Sequence, residues 1–217
     1  MIVDLNLKGN LVIVVGGGNE GLKKVNALLT QNCKIIVISD STNREIEKYV
    51  KQKKIEFNKI KLKNADFLKK YKPFMVLATT DDHNLNRKVV EMAKKMRCYA
   101  YAADDPEVSD FAFGSVINIQ DTVQIAISTG GRSPAMARKL RIQAEGVFKK
   151  LIKKEDIFQI KLQDFARKEA KKRLATFLER KKFLYGVMND NRIKQLIADG
   201  KLTKAQNRVI EMLGDIH

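Results

Sequence analysis

The sequence predicts an α/β fold whose first half is a parallel sheet with helices on both faces. Three observations carry that expectation. Apolar strands alternate with helical patterns over residues 1–113, a glycine-rich turn joins the first strand to the first helix, and an acidic residue follows the second strand. Alternation of this kind builds parallel βαβ units. Beyond residue 113 the rhythm changes, to a small α+β segment over 114–145 and then to a helical segment over 146–217.

The first strand, Leu11-Val-Ile-Val-Val15, runs straight into Gly16-x-Gly18-x-x-Gly21. In a dinucleotide-binding βαβ unit the first glycine allows a tight turn. The second lets the backbone approach a pyrophosphate, and the third lets the helix lie close to the strand. Free N–H groups and the positive dipole end of that helix would receive the pyrophosphate. Leu22, Val25, Leu28 and Leu29 supply its apolar face. The second strand, Lys34–Ile38, ends at Ser39-Asp40, with Asp40 19 residues beyond Gly21. A carboxylate there meets ribose hydroxyls and repels a 2′-phosphate, which predicts a Rossmann-like domain taking NAD rather than NADP. Arg44 is the one cation nearby that opposes this choice.

A helix over Asn43–Gln52 and a short strand near Ile55–Phe57 follow. Then come a strand over Phe74–Thr79, a helix over Leu85–Met96 and a last strand over Cys98–Ala103. Ligands on such sheets bind beyond the carboxyl ends of the strands. The loops that matter are therefore Gly16–Gly21, Asp40-Ser41, Thr79-Thr80-Asp81-Asp82 and Asp104-Asp105-Pro106.

Residues 114–119 and 123–128 read as two strands around a Gln120-Asp121-Thr122 turn. Ser133-Pro134 starts a helix, with serine as N-cap and proline at the first helical position. That helix carries Met136, Leu140, Ala144, Val147 and Leu151 on one face. A hairpin and helix too small to own a core must lie against something, and a second copy of the chain is the expected partner. Further on, Leu162, Phe165, Ala166, Ala170, Leu174, Phe177 and Leu178 form one stripe, and Ile193, Leu196 and Ile197 a shorter one ended by Gly200. Thr203-x-x-Gln206 reads as a capping box opening the last helix.

Composition narrows the class. Of 217 residues, 44% are hydrophobic and 31% charged, ordinary for a globular protein. No apolar run approaches the roughly 20 residues that cross a bilayer. The opening residues lack signal-peptide character, so a cytoplasmic protein is expected. Cys33 and Cys98 match no zinc or redox spacing and read as buried thiols. No His/Cys cluster supports a fixed metal site, and no Ser-His-Asp or Cys-His set is present. The net charge of +17 is denser after residue 145, where 18 Lys and Arg face 9 Asp and Glu. A basic surface attracts nucleic acid or any polyanionic small molecule. Lys171–Arg173 and Arg180–Lys182 interrupt a helical stripe and read as a solvated face, with no nucleic-acid motif beside them.

Asp104 ends a strand made roomy by Ala100, Ala102 and Ala103, on the side where the nicotinamide end of a dinucleotide would lie. It could act as general base, orient a cationic nitrogen, or simply form an Asp-Asp-Pro turn. Ser128-Thr129-Gly130-Gly131 before a helix start, with Arg132, Arg138 and Arg141, reads either as an anion cradle or as a plain strand-to-helix connection. Thr79 and Thr80 lie over the cofactor or cap the next helix. His83 reads as a surface loop residue rather than a ligand.

With these residues in view, the chain resembles the precorrin-2 dehydrogenases, NAD-dependent enzymes of sirohaem synthesis that also form the N-terminal part of sirohaem synthases. Asp4–Gly9, Gly16–Lys24, Ala78–Asp82 with Leu85-Asn86, Asp104-x-Pro106 with Phe111, and Ser128–Pro134 with Ala137-Arg138 and Leu140-Arg141 carry the resemblance. Glu20 stands where the family usually has an apolar residue, and Gly21 where it usually has alanine. The segment after residue 145 matches only as helices.

The resemblance implies that precorrin-2, a carboxylate-rich tetrapyrrole, loses hydrogen to NAD⁺ and becomes sirohydrochlorin. It gives the position of Asp104 the central catalytic role, matches Asn19, Glu20, Asp40 and Ser41 to cofactor positions, and Ser128 to the tetrapyrrole site. It also implies an intertwined homodimer, and a polyanionic substrate for the basic surface. Some relatives insert Fe²⁺ into sirohydrochlorin as well, which the sequence leaves open. The competing reading is a dinucleotide-sensing module that regulates nucleic acid or a protein partner, suggested by the charge.

Overall fold

Five short segments form one parallel sheet: β1 (Leu11–Val15), β2 (Lys34–Ser39), β3 (Glu56–Lys59), β4 (Met75–Ala78) and β5 (Tyr99–Ala102). Four of them are rich in valine, isoleucine or alanine, and the edge strand β3 is largely polar. The computed structural model describes residues 2–215. It divides into two units, Met1–Gly114 and Ser115–His217. The sheet belongs to the first, in the order β3-β2-β1-β4-β5. Sheet growth therefore reverses between β1 and β4, and a crevice opens above their carboxyl ends, the place where such sheets bind ligands.

Strand residues alternate between two cores, as a period of two requires. Ile13, Val15, Ile36, Ile38, Val76 and Ala78 join Val89 and Val90 of α3 (His83–Lys95). Val12, Val14, Ile35, Val37, Met75 and Leu77 join Val25 and Leu28 of α1 (Asn19–Leu28) and Ile46 of α2 (Arg44–Lys51). Both faces are covered, which is why the strands read as continuous apolar runs. Asn43 caps α2, its Oδ1 accepting from Ile46 N at 3.0 Å, and Asp82 caps α3 by accepting from Leu85 N at 3.0 Å. That cap starts α3 two residues before the expected Leu85 and draws His83 into the first turn. A 3₁₀ turn over Asp66–Lys70 buries Leu68, in a stretch too short to show any periodicity in the sequence.

In the second unit, β6 (Ser115–Ile119) and β7 (Val123–Ile127) pair antiparallel. Gln120 and Asp121 both have positive φ, 51° and 50°, the tight hairpin turn that suits twisted strands. The helix α4 (Pro134–Leu151) starts where expected, with Ser133 Oγ accepting from Met136 N at 3.2 Å. Ile117, Ile119 and Ile157 pack with Ala144, Phe148 and Ile152, so the chain itself covers the inner face of the hairpin. Met136, Leu140, Val147 and Leu151 stay 42–65% exposed. The remaining helices, α5 (Lys154–Arg173), α6 (Phe177–Asn189), α7 (Asn191–Ala198) and α8 (Leu202–Gly214), enclose a core of Leu162, Ala166, Ala170, Phe183, Val187, Ile193, Val209 and Leu213.

Two expectations for this unit are corrected. Phe177 and Leu178 do not continue the stripe of α5; both are 73% exposed, because α5 ends at Arg173 and the new helix restarts the phase. The capping box falls there, between Thr176 and Glu179, rather than at Thr203. Gly200, at φ +72°, and the bond from Lys201 N to Leu196 O turn the chain early. The last helix then opens at Leu202 without a side-chain cap, and Thr203 lies inside its first turn.

Candidate functional site

The glycine turn is built from beneath by its neighbours. Gly16, at φ +111°, donates its N–H to Ile38 O at 3.0 Å, and a Cβ on it would lie 2.8 Å from Thr79 O. A Cβ on Gly21 would overlap the Gly16 carbonyl oxygen. Gly17 is equally confined: a Cβ there would overlap Ser41 O, and Asn43 donates its N–H to Gly17 O at 3.0 Å. The motif left Gly17 as an arbitrary position, although three glycines in a row were the signal. Gly18 differs, with open space where a Cβ would be. It precedes α1 without a side chain to cap it, so the first-turn N–H groups have no bond from the cap residue. A turn held tight on three sides and open on the fourth fits a dinucleotide pyrophosphate.

Asn19 and Glu20 are exposed at the start of α1, with Glu20 paired to Lys23. Ser41 donates from Oγ to Asp40 Oδ1 at 3.3 Å. Beside them lies a pocket of about 510 Å³ lined by Asp40, Ser41, Thr42, Glu47, Lys51 and Lys59, among others. The two lysines were not apparent from the sequence, because Lys59 reaches the pocket only through the pairing of β3 with β2. Thr79 is buried, its hydroxyl donating to Val15 O at 2.9 Å, and so forms the floor of the turn. Thr80 sits higher, with Oγ1 donating to Asn86 Oδ1 at 2.7 Å.

Asp104 follows β5, and the structure separates it from the turn it could have formed. Asp105 makes that turn, its Oδ1 accepting from Glu107 N at 3.1 Å, and Ser109 ties it back to Ala102. The Asp104 side chain instead faces α3. Its Oδ1 accepts from Asn86 Nδ2 at 2.8 Å and its Oδ2 meets His83 Nδ1. Burial pushes the Asp104 pKa up, but hydrogen bonds from His83, Asn86 and its own backbone outweigh this and hold it below the ordinary carboxylate value. His83, expected as a surface loop residue, and Asn86, seen only as part of a motif, are functional candidates with no role assigned from the sequence. They lie about 20 residues from Asp104, and only the β4–α3–β5 crossover brings them to it.

Lys24 is a second feature hidden in the sequence. It lies on the buried face of α1, with Nζ donating to the Tyr101 hydroxyl at 3.1 Å and sitting 3.8 Å from the centre of the Phe113 ring. Burial lowers its pKa to about 8, against the pull of Glu20. It pins Tyr101 and Phe113, which flank the Asp104 segment on both sides.

In the second unit the segment between β7 and α4 holds its own shape. Ser128 Oγ accepts from Gly130 N at 3.1 Å, and Thr129 Oγ1 accepts from Ser133 N at 3.0 Å. Gly130 and Gly131 take φ values of +62° and +80°, which only glycine adopts without strain. Arg132 and Arg138 are exposed, while Arg141 pairs with Glu145 at 2.6 Å. Among the described residues no cluster of three or more His, Cys, Asp or Glu is arranged to hold a metal ion. No helix among them is long and apolar enough to cross a membrane.

A family described as "Putative NAD(P)-binding" matches residues 3–115. A second, described as sirohaem biosynthesis protein central, matches residues 120–143. A siroheme synthase of Mannheimia succiniciproducens is 29% identical over 209 residues, covering 94% of this chain and 41% of that protein. One from Neisseria meningitidis serogroup C is 31% identical over 147 residues, 65% of this chain and 29% of the relative. This chain thus spans well under half the length of the curated relatives it matches. The solved structure of SirC, named as a precorrin-2 dehydrogenase, covers 97% of this chain and 99% of its own, with a TM-score of 0.66 and 17% identity. At that identity the likeness establishes the α/β fold with its helical C-terminal part.

Proposed function

The chain belongs to the NAD(P)-binding family matched over residues 3–115, and from that premise we propose that it is an NAD-dependent dehydrogenase oxidising precorrin-2 to sirohydrochlorin. The observation that carries the reading is the Asp104 carboxylate, free of the adjacent turn and anchored by Asn86 to the loop after β4. Relatives named siroheme synthase, and the fold shared with SirC, support the substrate. A regulatory dinucleotide sensor is not favoured by those relatives.

In this reading Gly16, Gly18 and Gly21 shape the pyrophosphate seat, and the open N-terminus of α1 receives its charge. Asn19, Glu20, Asp40 and Ser41 hold the adenosine half, Thr79 supports the turn from below, and Thr80 borders the nicotinamide side. Bound NAD⁺ supplies the hydride acceptor. Asp104, held in its charged form by its hydrogen bonds, orients the polar groups of α3 that face the macrocycle. Ser128, Gly130, Gly131, Arg132 and Arg138 bind carboxylates of the substrate, Arg by charge-assisted pairing and the glycine segment by backbone N–H groups. The enzyme works in the cytoplasm as a homodimer, closed over the apolar face of α4. Incubation with precorrin-2 and NAD⁺ tests the proposal. Sirohydrochlorin should form, and unchanged precorrin-2 would reject it.

A further inference from the structure

We propose that His83 accepts the proton released in this oxidation, while Asp104 fixes the imidazole rather than acting as the base. The inference rests on the dehydrogenase reading and adds a residue to it. Both Asp104 oxygens are already engaged, Oδ1 by Asn86 Nδ2 at 2.8 Å and Oδ2 by His83 Nδ1. The Asp104 side chain is 17% exposed, whereas that of His83 is 80% exposed. A macrocycle above the sheet can reach the imidazole; the carboxylate lies behind it.

The arrangement is rigid at its root. Asn86 is 1% exposed, and each polar group of its amide is used. Its Oδ1 accepts from Thr80 N at 3.1 Å and Thr80 Oγ1 at 2.7 Å, while Nδ2 donates to Thr80 O at 2.8 Å and to Asp104. Asp104 is thus held in one orientation, and through it the ring of His83. A carboxylate at Nδ1 keeps the proton on that nitrogen and leaves the Nε2 lone pair toward solvent and substrate. The depressed pKa of Asp104 agrees, since a carboxylate stabilised in its charged form is a weak proton acceptor.

The chemistry balances. One C–H bond of the reduced macrocycle breaks with both electrons leaving as hydride to the bound NAD⁺. One N–H bond breaks with its electron pair staying in the macrocycle, where it completes the new conjugated double bond. That proton passes to His83 Nε2, Asp104 keeps its charge and its bond to Nδ1–H, and the imidazolium then releases the proton to water.

The test uses the intact protein, in which His83 and His217 are the two histidines. His83→Gln should bind NAD⁺ like the wild type and lose about 10²–10⁴-fold in kcat, the usual range for removing a general base. His83→Gly should recover activity when free imidazole is added, which a structural role would not allow. In ¹⁵N spectra the wild-type His83 ring should be the Nδ1–H tautomer, and Asp104→Ala should abolish that preference. A fully active His83→Gln, or an Nε2–H tautomer in the wild type, overturns the inference. If the wild type itself makes no NADH from precorrin-2, the dehydrogenase reading fails and takes this inference with it. An active wild type with an equally active His83→Gln defeats the inference alone.

Discussion

Asn86 and Asp104 are joined by a 2.8 Å hydrogen bond from a position that is 1% exposed. One buried amide therefore couples the loop after β4 to the carboxylate after β5. These are the two carboxyl-end loops on the β4–β5 side of the crevice.

Removing that amide should affect folding and catalysis together. Asn86→Leu leaves Thr80 N–H and C=O without their partner, which costs about 1–3 kcal/mol when such groups stay buried. Urea denaturation should show that loss, and kcat should fall while the Kd for NAD⁺ changes little. An unchanged kcat in a folded Asn86→Leu protein would mean that the orientation of Asp104 is irrelevant.

The depressed pKa of Asp104 has a stability consequence. Its carboxyl is below the ordinary value in the folded state, so the stabilisation is present above the unfolded value near pH 4 and is lost as pH falls through the folded value. The stability difference between wild type and Asp104→Asn should therefore shrink on acidification below about pH 4. Thermal melts across that range measure it; a difference that grows toward acid has the wrong sign.

Gly17 and Gly18 should separate folding from binding. Gly17→Ala places a methyl against Ser41 O and should destabilise the domain. Gly18→Ala meets open space at an ordinary negative φ, so the protein should remain folded. The added methyl occupies the ligand's approach and should weaken NAD⁺ binding in a calorimetric titration. Equal loss of Tm in both variants would contradict this division.

Asp40 should set cofactor choice, with kcat/KM higher for NAD⁺ than for NADP⁺. Lys51 and Lys59 line the same pocket, so Asp40→Ala should narrow the preference by exposing a 2′-phosphate to their charge. Comparable kcat/KM for the two cofactors in the wild type would refute the assignment to Asp40.

The exposed apolar residues of α4 predict association. Light scattering at micromolar concentration should give a dimer mass, and Val147→Glu, at a residue 63% exposed in the single chain, should give a monomer that keeps its helicity. A monomeric wild type would remove the homodimer.

Much of the fold is legible because strand residues buried on both sides are apolar at every position, and because Ser133-Pro134 and Gly16–Gly21 mark their boundaries locally. The site is legible where its chemistry is contiguous. Asp104 stands out beside its turn, yet His83 reads as a surface loop residue and Asn86 only as part of a motif, since the crossover through α3 is what joins them to it. Lys24 is hidden for a similar reason: a lysine on a basic chain shows its burial only when Tyr101 and Phe113 close over it. The apparent stripe through Phe177 and the apparent cap at Thr203 fail because the chain breaks at Leu174–Thr176 and turns at Gly200, and each break resets the helix phase.

The most direct test of the proposed dehydrogenase activity is a time course of purified protein with precorrin-2 and NAD⁺ under anaerobic conditions, following NADH and sirohydrochlorin in one cuvette. The account predicts one NADH for each sirohydrochlorin, at a rate that Asp104→Ala lowers by about 10²–10⁴-fold without weakening NAD⁺ binding. No NADH from the wild type, or an Asp104→Ala protein as active as the wild type, would contradict it.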